Sequence, residues 1–78
     1  MTLLQLLKQV EIQNPDVKDF FINDMHVFVD WYKDKIEVEN KDGNKIDVES
    51  TIVDSYEIYP TFEFDSAIKI KIKEIVWR

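Results

Sequence analysis

Met25-His26-Val27-Phe28-Val29-Asp30-Trp31-Tyr32, followed by Lys35-Ile36-Glu37-Val38-Glu39-Asn40-Lys41-Asp42-Gly43-Asn44-Lys45-Ile46-Asp47-Val48, decides the fold. Its apolar residues recur every second position, the period of a strand and not of a helix. Met25, Val27, Val29 and Trp31 share one face, and His26, Phe28, Asp30 and Tyr32 the other. Two further strands, about 35–40 and 45–53, flank Lys41-Asp42-Gly43. A two-residue Asp42-Gly43 turn would set Val38 opposite Asp47, a carboxylate on the apolar face. A three-residue loop instead sets Glu39 opposite Lys45, Val38 opposite Ile46 and Ile36 opposite Val48, with Gly43 in the left-handed position such loops require. The three-residue loop is therefore expected.

A fourth strand is expected over 56–64, carrying Tyr56, Ile58, Phe62 and Phe64. Pro60 confines it to a sheet edge or a bulge. A fifth, over 67–77, alternates Ile68, Ile70 and Ile72 with Lys69, Lys71 and Lys73. Opposing Phe62 to Ile70 and Phe64 to Ile68 also sets Glu63 against Lys69. The alternation slips after Lys73, which calls for a bulge near Glu74.

Upstream of the strands the spacing is helical. Thr2 and Gln5 form a capping box, and Leu3, Leu6, Leu7 and Val10 make one apolar stripe widened by Leu4. Asn14-Pro15 reads as a second helix start, with Val17, Phe20 and Phe21 as its buried face and Asp16 at the positive end of its dipole. The expected fold is a single α+β domain over 1–78: one or two short N-terminal helices packed on a four- to five-stranded antiparallel meander sheet.

The 78 residues suffice for one domain. No cysteine excludes disulfides and thiolate metal sites, and suits a reducing compartment. A single glycine excludes the Gly-rich loops that cradle phosphates. No apolar run is long enough to span a bilayer or to form the core of a secretion signal. Ile occurs ten times and Lys nine, while Gly, Ala and Arg occur once each. That bias favours AT-rich codons and points to an AT-rich source such as a low-GC bacterium, its plasmids or its phages.

No catalytic constellation emerges. His26 is the only histidine. Asp30 lies on its face, but no nucleophile has a motif around it. Paired carboxylates hydrolyse glycosides only across a cleft, and short loops leave little room for one. The stretch around Gly43 fails as a calcium loop, because its first ligand position would be Val38. No catalytic, cofactor-binding or metal-binding residue is expected.

Charge segregation is the stronger signal. The chain carries 16 acids against 10 bases, a net −6. Residues 16–65 hold 14 acids against five lysines, whereas residues 66–78 are net +3. On a regular hairpin Glu37, Glu39, Asp47 and Glu49 would project to one face at about 6.6–6.8 Å intervals, the order of phosphate spacing in a nucleic acid. With Asp54 and Glu57 they form the expected partner-binding set, matched to a protein with a basic surface. A solubilising polar face is the plainer reading. Lys69, Lys71, Lys73 and Trp77 resemble a nucleic-acid platform, but the overall negative charge opposes direct nucleic-acid binding.

The functional expectation is a non-enzymatic phage or mobile-element inhibitor, cytoplasmic in the host, that blocks a basic nucleic-acid-binding groove of a host protein such as a defence nuclease. The alternative is a structural or assembly subunit. Strand one is apolar on both faces, so Phe28 and Tyr32, joined by Tyr59 and Trp77, are expected to form an interface, that of a homodimer or of a hetero-complex through this face.

Overall fold

The computed structural model describes residues 1–78. One helix, α1 (Leu3–Gln13), precedes six strands: β1 (Val17–Ile22), β2 (Met25–Trp31), β3 (Ile36–Asn40), β4 (Lys45–Ile46), β5 (Ser55–Pro60) and β6 (Ser66–Lys71). They form one sheet of order β4-β3-β2-β1-β6-β5. All neighbours are antiparallel except β1 and β6, which are parallel. The fold is α+β, and the antiparallel meander is corrected to a six-stranded mixed sheet with one helix.

The capping box of α1 is present: Thr2 N–H donates to the Gln5 side chain, and Gln5 N–H donates to Thr2 Oγ1. Leu3 and Leu4 N–H, which have no partner within the helix, donate to the Thr51 and Val48 carbonyls at 2.8 and 3.0 Å. The segment after β4 thereby fixes the start of α1. Leu3, Leu6, Leu7 and Val10 pack on Phe20, Ile22, Val27, Val38, Ile46, Ile68 and Ile70 in a single core. The helix roofs one sheet face; the other is open.

The expected second helix is instead β1. Asn14 caps the end of α1, its N–H donating to the Val10 carbonyl. A register shift against β6 between Val17 and Asp19 adds one residue to β1. It turns Val17, Phe20 and Ile22 to the same, buried face. A bulged strand therefore reproduces the three-residue spacing of a helix. β1 and β2 are joined by Asn23-Asp24, both at positive φ (51° and 66°), the signature of a tight hairpin turn.

Around Gly43 the expected register holds: Val38 faces Ile46, Glu39 faces Lys45, and Gly43 has φ +83°. The strand expected over 45–53 stops at Ile46, however. The Asp47 carboxylate accepts from the N–H groups of Glu49 and Ser50 and closes a turn, so Ile36 does not face Val48. In the last hairpin Tyr56 faces Ile70, Ile58 faces Ile68 and Glu57 faces Lys69. Phe62 and Phe64 are not in a strand; they lie on the loop, 73% and 89% exposed. The alternation of buried Ile68, Ile70 and Ile72 with exposed lysines is present. Beyond it the chain leaves the sheet and does not bulge within it. Asn23 holds Ile72 through two hydrogen bonds, and Trp77 bridges to Ile46 along the outer edge of β4. β5 is thus the edge strand left uncovered, and it ends in Pro60, consistent with the edge placement expected for that residue.

A candidate protein-binding surface on the open sheet face

The open face is built from the residues that alternate with the core positions. β1 contributes Asp19 and Phe21, β2 contributes His26, Phe28 and Asp30, β3 contributes Glu37 and Glu39, β6 contributes Lys69 and Lys71, and β5 contributes Glu57 and Tyr59. Register places Phe21 beside His26, Phe28 beside Glu39, and Asp30 beside Glu37. The rings of Phe21 and His26 stack at 5.0 Å, and those of His26 and Phe28 meet at 4.8 Å. His26 Nε2 lies 3.6 Å from Asp19 Oδ1. Phe28 remains 46% exposed at the centre of this group. Asp30 and Glu39 have no Lys or Arg within ion-pair distance. The result is an aromatic platform, Phe21-His26-Phe28, flanked by the carboxylates of Asp19, Asp30 and Glu39, with Lys69 beside Phe21 on the β6 side and Lys45 opposite Glu39 on the β4 side.

The six acids expected to act together are dispersed. Glu37 is buried under three cations: Arg78 at 3.0 Å, Lys45 at 3.1 Å and Lys35 at 3.5 Å. The Lys45 hydrogen bond, aided by the charge of Lys35 and by Arg78, holds its carboxyl below the usual carboxylate range. The same contact raises Lys45. Glu37 therefore presents no free negative charge. Asp47 caps the turn that ends β4, and Glu49 is exposed on that turn. Asp54 and Glu57 lie before and within β5, at the far edge of the sheet from β3. Only Glu39 of the six belongs to the aromatic platform.

The four residues of the expected oligomer patch also separate. Phe28 and Tyr59 lie on the open face, three strands apart. Tyr32 follows β2 and carries Lys35 over its ring at 5.2 Å. Trp77 pairs with the core residue Ile46 and so projects to the opposite face. The sequence pattern alone hides Asp19 and Asp30 as partners of Phe28, because the spacing around Asp19 is that of a helix and Asp30 stands out only as a companion of His26. The strand character of residues 17–22 would have placed both beside Phe28.

No three His, Asp or Glu side chains converge to hold a metal ion. No helix is long and apolar enough to cross a membrane. Searches against family models, curated proteins and solved structures found no match to this chain.

Proposed function

We propose that this protein is a non-enzymatic binding module that occupies a basic surface on another protein through its open sheet face. The observation that carries the reading is the exposed Phe28 amid Asp19, Asp30 and Glu39. An aromatic anchor with a charged rim is the arrangement that gives protein interfaces both affinity and electrostatic steering. The net charge of −6 extends that steering to long range. In its concrete form the reading is a phage or mobile-element inhibitor acting in the host cytoplasm. Its target is a nucleic-acid-binding groove, as in a defence nuclease; the AT-rich residue bias and the acidic charge support this form.

The test is capture from a host lysate on the immobilised full chain, at low and then moderate salt, beside a Phe28→Ser, Asp30→Asn, Glu39→Gln variant. The expected result is a basic nucleic-acid-binding protein held by the parent, released as salt rises and absent from the variant. Equal capture by parent and variant would contradict the assignment of this face. A second reading, a structural or assembly subunit that oligomerises through its sheet, draws on the exposed Phe28 and the uncovered β5 edge. Sedimentation equilibrium separates the two: a monomer at micromolar concentration excludes a homodimer.

A further inference from the structure

The sheet is split between β1 and β2. Their ladder runs only from Ile22–Met25 to Phe20–Val27, although β2 continues to Trp31. The bulge at Val17–Asp19 draws the start of β1 toward β6. The direction of the stranded backbone groups follows from the other side of β2. Tyr32 N–H donates to the Lys35 carbonyl at 3.0 Å. Opposed residues in an antiparallel pair alternate between exchanging hydrogen bonds and not, so Asp30 and Phe28 bond to β3. Val29 and Trp31 then turn their N–H and C=O groups toward β1, where no ladder partner meets them. A groove of about 580 Å³ opens at this place.

The two sides of the groove differ in chemistry. On the open face it is lined by Asp19 and Asp30 beside His26 and Phe28, and on the helix side by Val17, Phe20 and Trp31, with the Phe20 and Trp31 rings 6.0 Å apart. Lys18 also lines it, its Nζ donating to the Pro15 carbonyl at 3.3 Å, so the two aspartates carry the charge complementarity. Side chains of a strand alternate between faces. A strand laid along Val29–Trp31 with alternating basic and apolar residues would set its basic side chains against the two aspartates. Its apolar side chains would meet Phe20 and Trp31. We propose that the groove receives an extended basic segment of the partner by strand addition to β2. This rests on the basic-partner reading above and specifies how that partner is held. The exposed Phe62-Glu63-Phe64 tip of a second copy is a poorer occupant, because Glu63 and Asp65 would approach like charges.

The probe is a synthetic ten-residue peptide of alternating Lys and Val, tested on the isotopically labelled full chain by amide hydrogen exchange. Controls are the same peptide with N-methylated amides on its pairing edge and a Glu–Val peptide. At saturation the Lys–Val peptide should slow exchange of the Val29 and Trp31 amides by about tenfold or more, with no slowing by either control. Protection confined to β5 amides, or binding with unchanged exchange at Val29 and Trp31, would overturn strand addition while leaving the basic-partner reading intact. Equal protection by the Glu–Val peptide would overturn the choice of a basic segment and count against the basic-partner reading itself.

Discussion

Gly43 sits at φ +83° with open space where a Cβ would be, so replacing it costs backbone strain and no clash. Gly43→Ala should destabilise by about 1 kcal/mol, read as a lower urea midpoint with unchanged slope. Glu37 shows a different residue-scale effect. Its ionised form is favoured in the fold, first by Lys45, so its folded value lies below its unfolded one. Stability from this group is present above the ordinary carboxylate range and is lost as pH falls through the folded value. Glu37→Gln should therefore lower the melting temperature at neutral pH, and the gap from the parent should close in strong acid. A gap independent of pH would show that packing, and not charge, is what the carboxylate supplies.

At the level of elements, α1 was legible because its cap and its apolar spacing agree with each other and with the structure. β1 was not, because its bulge gives Val17 and Phe20 the three-residue spacing of a helix and Pro15 mimics a helix start. The Asn23-Asp24 turn carried the missing signal: two residues that tolerate positive φ between apolar runs. It yields a paired prediction. Asp24→Gly removes strain and should stabilise by a few tenths of a kcal/mol up to about 1. Asn23→Gly keeps the backbone but loses two hydrogen bonds to Ile72 and should destabilise by about 1–2 kcal/mol. Equal effects of the two would contradict the turn described here. The last hairpin was misread by six residues because Phe62-Glu63-Phe64 alternates like a strand. With both rings on the loop, Phe62→Ser with Phe64→Ser should change stability by no more than about 0.5 kcal/mol. A cooperative loss of folding would restore the register in which they face Ile68 and Ile70.

For the whole molecule, helix and C-terminal segment cover one face and one edge of the sheet and leave the other face free. Charge totals were readable from the chain, but their placement was not. Glu37 is neutralised by Lys35, by Lys45 and by Arg78 from the C-terminal end of the sequence, and the carboxylates around Phe28 come from three strands. That long-range assembly sets an aromatic centre among the carboxylates of Asp19, Asp30 and Glu39, with lysines toward both sheet edges, where the sequence alone pointed to a linear ladder of acids. Amide chemical-shift mapping of the full chain with its captured partner reads out which face is occupied. The largest changes are expected at Asp19, Phe21, His26, Phe28, Asp30 and Glu39. Changes confined to the 61–65 loop or the 47–50 turn, with this face unmoved, would contradict binding through it.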